Sequence, residues 1–255
     1  MTSQDVLLVG SYDLRLVALS IAIAVLGAYA GLDLAERVSA ARGRARIAWL
    51  MGGVTGTAIG IWSMHFTGIL AFHLPVPAQY DWPTALLAFL NAYFASLVAL
   101  VVVTQKQMGP RQQFVGSLFM GAGISGLHYI GMASMRGPAM HHYAPAIVTL
   151  SIVFAVGFSF LSLRLAFFFR GGDRGVRGRR VASIFLLGAA ICVMHYTGMA
   201  AVTFTASAVP PRLSHALPVS FLGIVAIGSM TVTVLSVVIV TSMFDAFINI
   251  GSSCA

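Results

Sequence analysis

The sequence predicts an all-α, polytopic membrane protein, a seven-transmembrane helix bundle built from three paired-helix repeats plus one helix. Three observations carry this. The 255-residue chain is 58% hydrophobic and only 9% charged, with a mean hydropathy of +0.91, whereas soluble domains carry roughly 25% charge. Seven apolar runs, at about 13–32, 48–72, 83–104, 113–135, 145–169, 181–205 and 218–243, approach or exceed the roughly 20 residues a helix needs to cross a bilayer. A six-residue motif recurs in the second, fourth and sixth runs, as Met64-His65-Phe66-Thr67-Gly68-Ile69, Leu127-His128-Tyr129-Ile130-Gly131-Met132 and Met194-His195-Tyr196-Thr197-Gly198-Met199. The spacing is 63 residues (65 to 128) and then 67 (128 to 195).

The first span follows Met1-Thr2-Ser3-Gln4-Asp5, which holds no basic residue, so no cleaved signal peptide is expected and the span stays in the protein. The runs are continuously apolar and do not alternate, which excludes a barrel; in lipid each must satisfy its backbone internally as a helix. The odd connections are basic, with Arg37, Arg42, Arg44 and Arg46 in the first, Lys106 and Arg111 in the third, and Arg164, Arg170, Arg174, Arg177, Arg179 and Arg180 around the fifth. The even connections hold Arg136 and Arg212 and the turn formers Pro75, Pro77, Pro83, Pro138, Pro145, Pro210, Pro211 and Pro218, and read as short external loops with no folded outer domain. The positive-inside bias then puts the N-terminus outside and the C-terminus inside. The net charge of +8 belongs to these connections and implies no nucleic-acid partner. Cys192 falls within a span and Cys254 in the tail, so no disulfide between them is expected.

Under this topology spans two, four and six all run outward, with each histidine at a similar depth near the outer face. The repeat extends beyond the motif. Seven residues before each histidine stands a small residue (Ala58, Gly121, Gly188), four before it an isoleucine (Ile61, Ile124, Ile191), and three after it a glycine (Gly68, Gly131, Gly198). These offsets share one helical face. Gly52, Gly56 and Gly60 extend a small-residue stripe along span two, of the kind that lets helices approach closely in membranes. The three histidine faces are therefore expected to look at one another across the bundle.

The residue at +4 is Met132 in the second copy and Met199 in the third, one turn from its histidine at roughly 6 Å of axial rise. Imidazole with soft thioether favours copper, especially Cu(I), over zinc or hard cations. The candidate metal ligands are His65, His128, His195, Met132 and Met199, with Met64 and Met194, about 100° around the helix, ranked behind them. A lone histidine in a span also serves as a hydrogen-bonding strut, and methionine as apolar filler; three copies in register are hard to assign to packing alone. Phe66, Tyr129 and Tyr196 read as anchors or packing groups, and Cys192 as a packed thiol. His73, His141, His142 and His215, with Met135 and Met140, lie in the external loops, where they could deliver or release a metal but are ordinarily solvated.

No GxSxG, P-loop, HExxH or paired intramembrane aspartate is present, and no enzymatic activity is expected. Gly171-Gly172-Asp173 sits in a short basic linker and is not evidence of a cyclase.

At these motifs the chain resembles the MHYT domain family of bacterial membrane sensors, whose Met-His-Tyr-Thr signature stands intact at Met194 to Thr197. The resemblance covers about residues 10–245, including Gly10-Ser11-Tyr12-Asp13 and Asp33-Leu34-Ala35, and leaves 246–255 as a short cytoplasmic tail. It implies a place in the bacterial cytoplasmic (inner) membrane and the sensing of a diatomic gas (O2, CO or NO) through bound copper. Ile69, where the family favours methionine, and Leu127 and Ile130 in the second copy mean that the copies are not equivalent ligand sets. Family members often continue into cyclic-di-GMP domains or histidine kinases; this chain stops about ten residues after span seven and reads as a stand-alone form with a separate cytoplasmic output protein, or as a sensor module apart from its output.

The leading expectation is a membrane-embedded sensor that binds copper and responds to a diatomic gas or to redox state. The alternative is a copper-handling membrane protein, a chaperone or permeation component, although the inner halves of the spans hold mainly glycine, alanine and threonine where a conducting path needs polar sites. A third reading is a structural partner subunit whose histidines only join helices.

Overall fold

In the computed structural model, which describes residues 6–105, 109–168, 176–207 and 213–253, the apolar runs are helices α1 (Leu14–Ala40), α2 (Gly43–Leu70), α3 (Trp82–Val103), α4 (Pro110–Ala133), α5 (Pro145–Phe168), α6 (Val176–Ala200) and α7 (Val219–Ser253). All seven are long and apolar enough to cross a membrane. Their starts are encoded locally. The Asp13 carboxylate accepts from the Arg15 amide at 2.8 Å to cap α1, and Asp81 caps α3 by accepting from Thr84. Pro110 sits in the first turn of α4, where its missing N–H costs nothing. Gly43, at φ 56, makes the tight turn from α1 into α2.

Helices α1 to α6 close into a ring, each packed on its chain neighbour and α6 back on α1, while α2, α4 and α6 also touch one another at the centre. α7 stands outside this ring against α2 and α1, where Ser63 Oγ donates to the Ala226 carbonyl at 2.8 Å. Small residues bring α1 and α2 together: Gly27 and Gly60 meet so closely that a Cβ on either would lie 2.6 Å from the other's Cα, and Gly56 lies against Ala30. The glycine stripe expected along span two is present, but it is turned toward α1, where Gly27 meets Gly60, and not toward the other two histidine helices.

The even connections differ from the loops expected. They pair into short antiparallel strands that cap the histidine end of the bundle. β1 (Leu7–Leu8), β7 (Val202–Ala206) and β6 (Ala139–Tyr143) form one sheet, β2 (Ser11–Tyr12) and β3 (Phe72–His73) a second, and β5 (Met135–Arg136), β4 (Gln79–Asp81) and β8 (Ala216–Pro218) a third. The sixth run, expected to continue to 205, stops at Ala200; Val202 and Phe204 are buried and Thr203 exposed, the two-residue period of a strand. α1 runs past the expected 32 to Ala40 and carries Arg37 on its last turn, and α7 continues through 253. Lys106, Arg170, Arg174, the Gly171-Gly172-Asp173 run, Pro210, Pro211, Arg212 and Cys254 lie outside the described residues.

Candidate metal centre

Each repeated histidine is followed by five further helical residues, on α2, α4 and α6 respectively. Because these are the three central helices, equal depth in sequence becomes convergence in space. All three side chains are 1% exposed. His195 Nδ1 lies 3.2 Å from His65 Nδ1 and 3.1 Å from His128 Nδ1, and the candidate ligand nitrogens of the three residues fall within 4.8 Å of one another. The rings stand nearly perpendicular, at 87° to 90°, with centroids 5.0 to 5.2 Å apart.

The glycine at +3 explains how three rings fit between three helices. Each Nε2 points at the glycine of the next motif in a closed cycle, His65 at Gly131, His128 at Gly198 and His195 at Gly68. A Cβ on Gly68 or Gly198 would lie 2.5 Å from the facing Nε2, and one on Gly131 would strike His65 as hard. The residue at +1 braces its own histidine edge-on: Phe66, Tyr129 and Tyr196 sit 4.8 to 4.9 Å away at 81° to 86°. The two tyrosines are held in turn by the outer helices, Tyr196 Oη to Ser20 Oγ of α1 at 2.6 Å and Tyr129 Oη to Ser151 Oγ of α5 at 2.7 Å. Phe66, with no hydroxyl, packs on Trp62 and Tyr80.

Proton bookkeeping makes this cluster unusual. The three Nε2 atoms are buried without a hydrogen-bond partner. If the rings carry their protons on Nε2, three Nδ1 lone pairs face one another and repel; if on Nδ1, three N–H groups crowd a common point and three buried lone pairs go unused. A hydrogen bond can relieve one pair, not all three. A cation between the Nδ1 atoms would relieve the lone pairs at once, so the donor set fits a metal.

The nine residues lining this space are three histidines, three isoleucines, a leucine and two methionines: Ile61, Ile124 and Ile191 at −4, Met64, Leu127 and Met194 at −1. Met64 and Met194 thus share the histidine space. Met132 and Met199 line a second cavity of about 20 Å³ toward the strand cap, together with Met135, Tyr80, Phe72 and Phe204.

Among the loop histidines, His141 Nε2 lies 3.2 Å from Met135 Sδ, and burial, then His142 and Arg136, lowers its pKa. His142 Nε2 bonds Thr205 Oγ1 at 3.0 Å. His73 Nδ1 lies 3.3 Å from the Ala71 carbonyl, and His215 packs edge-on to Trp82. Cys192 is a buried free thiol. The sequence offered no sign of Ser20 or Ser151, ordinary small polar residues in apolar spans. It also did not reveal that Asp33 near the far end of α1 accepts from both Arg37, at 3.3 Å, and Arg180 of α6, which reaches Glu36 at 3.4 Å as well.

The MHYT family profile, described as a bacterial signalling protein N-terminal repeat, matches residues 59–116 and 121–178. The chain is 37% identical over 97% of its length to the bifunctional diguanylate cyclase/cyclic di-GMP phosphodiesterase MucR of Pseudomonas aeruginosa, of which it covers 36%. It is 36% identical over 79% of its length to the cyclic di-GMP phosphodiesterase NbdA of the same organism, covering 26% of it. It is 35% identical, again over 79%, to the signaling protein YkoW of Bacillus subtilis, covering 25%. The chain therefore spans about a third or less of these relatives. No solved structure matches.

Proposed function

The chain belongs to the MHYT family of membrane signalling domains, and we propose that it is a copper-binding sensor whose ion is held by His65, His128 and His195. The observation that supports this is the convergence of three buried Nδ1 atoms, 3.1 and 3.2 Å apart where they meet at His195, with every Nε2 unpartnered. Met64 and Met194 on one side and Met132 and Met199 on the other are the further candidate ligands.

Charge argues for the cuprous ion. The Born cost of burying an ion grows with the square of its charge, and the walls hold neutral side chains only. A divalent ion would leave two charges uncompensated. The Nε2 atoms also lack the carboxylate or carbonyl acceptor that usually raises a ligand imidazole's basicity, which again suits a soft, singly charged ion with thioethers nearby.

Copper held by His65, His128 and His195 would supply a redox-active centre of the kind that can respond to a diatomic ligand such as O2, CO or NO. The chain's own residues convert occupancy into geometry. Each imidazole is wedged between its partners and a glycine Cα of the next helix, so a small displacement of one ring pushes α2, α4 and α6 against one another. Ser20 and Ser151 tie that movement to α1 and α5, and the Asp33 to Arg180 pair carries it to the opposite end of α1 and α6, roughly 22 Å down the helix. That end gathers the basic residues, which favours placing it and the C-terminus in the cytoplasm of an inner-membrane protein, facing an output protein or domain. For such coupling the two states must differ in ligand affinity.

The test is metal analysis of the purified chain after anaerobic Cu(I) loading. One equivalent is expected, lost on His195→Leu. Retention of less than about a tenth of an equivalent by the folded wild type overturns the reading.

A further inference from the structure

The space between the three histidines has almost no free volume, and the strand cap lies over that end of the bundle. Two sets of donors, His141 with Met135 and Met132 with Met199, stand between that cap and the triad. The half-buried His141 on β6 touches Met135 on β5, with imidazole nitrogen and thioether sulfur 3.2 Å apart. Met135 also lines the cavity that holds Met132 and Met199. At about 20 Å³ this cavity has room for one water-sized particle. Met132 and Met199 follow His128 and His195 by four residues, on the same helical faces, and so lead onto the triad.

The ranking of donors along this line is physically ordered. A two-donor site binds an ion more weakly than a three-nitrogen site and can release it. The thioethers favour Cu(I) over hard cations on the way. His141 is oriented by stacking on Tyr143, at 9° and 6.3 Å, and by packing on Phe204, so the pair is held together before any ion arrives.

We propose that His141 and Met135 form an acquisition site for Cu(I) that loads the triad through the Met132 and Met199 cavity. This rests on the reading of the triad as a copper centre, and the experiment separates the two. The full chain in lipid nanodiscs, metal-free, receives Cu(I) from a coloured chelator, with stopped-flow loss of the chelator complex read against X-ray absorption at the copper edge. Met135→Leu, which conserves volume, and His141→Phe, which keeps the stack on Tyr143, are compared with His142→Phe; thermal unfolding verifies that each is folded. Loading of the triad is expected to slow by about tenfold or more in the first two, with unchanged final triad occupancy, and to be unaffected in the third. Loading at the wild-type rate in Met135→Leu and His141→Phe overturns the proposal and leaves the triad reading standing. An ion with mixed sulfur and nitrogen ligands that depends on Met135 and His141, in a wild type whose triad takes no copper, supports the site and overturns the triad reading. No bound copper anywhere overturns both.

Discussion

Gly68 of α2 lies directly beneath the imidazole tip of His195 on α6, so close that a Cβ there would fall 2.5 Å from Nε2. The same contact recurs from α4 to α2 and from α6 to α4, and it is what makes the motif's glycine part of the site.

Alanine at Gly68 should therefore act against its own helix propensity. In an exposed helix, glycine to alanine stabilises by about 1 kcal/mol. Here Gly68→Ala must move a buried ring whose Nδ1 touches both other histidines. The variant is expected to unfold at lower temperature than wild type and to lose at least about tenfold in Cu(I) affinity. An unchanged affinity by chelator competition would show that the ring is not held this way.

The metal-free triad carries unpaired buried nitrogens, a burden of about 1–3 kcal/mol for each such group. His195→Leu in the metal-free protein should then be no less stable than metal-free wild type, within about 1 kcal/mol. Saturating Cu(I) should raise the Tm of wild type only, because a ligand that binds the folded state alone stabilises it by mass action. Calorimetry with and without copper checks both halves.

The hydroxyl pair Ser20 to Tyr196 ties α1 to the brace of His195. Tyr196→Phe and Ser20→Ala should each cost about 1 kcal/mol. The double variant should cost little more than either, since one interaction is lost in both. Full additivity in chemical denaturation would mean that the pair is not formed.

At the opposite end, Asp33 is 8% exposed between Arg37 and Arg180. Asp33→Asn removes the anion that Arg37 and Arg180 share and should destabilise by about 2 kcal/mol, less than breaking a fully buried pair because Arg180 is one-third exposed and keeps Glu36. Arg180→Leu in the same background should cost less than it does in wild type. A double-mutant cycle measures the difference, and equal costs would deny the coupling of α1 to α6.

Asp81 supplies a pH test outside the spans. The Thr84 hydroxyl, 2.6 Å from Oδ2, holds its carboxyl below the usual value against the opposing effect of burial, with the Thr84 amide, Arg136 and His215 adding to the lowering. A depressed folded pKa contributes stability above the unfolded value of about 3.9 and loses it as pH falls through the folded one. The Tm gap between wild type and Asp81→Asn should be full at pH 7 and shrink below about pH 4. A gap constant from pH 7 to 3 would remove the cap's ionised carboxylate from the account.

Seven spans, three motif copies at one depth and a small-residue stripe along α2 were legible in the residues themselves, whereas the stripe's partner, α1, was not. Apolar length and period are properties of the chain in order, and a histidine repeated at the same offset from each helix end can only arrive at one level of the bundle. The strand cap was not legible, because β4 pairs with β5 and β8, and β1 with β7, across connections distant in sequence. Nor were the partners of the site. That Gly68 serves His195, that Ser20 reaches Tyr196, and that Met64 and Met194 share the histidine space while Met132 and Met199 line the next cavity toward the cap depend on which helix neighbours which and how far each is rotated about its axis. Closing the ring decides those quantities, and no single helix carries them in its own sequence.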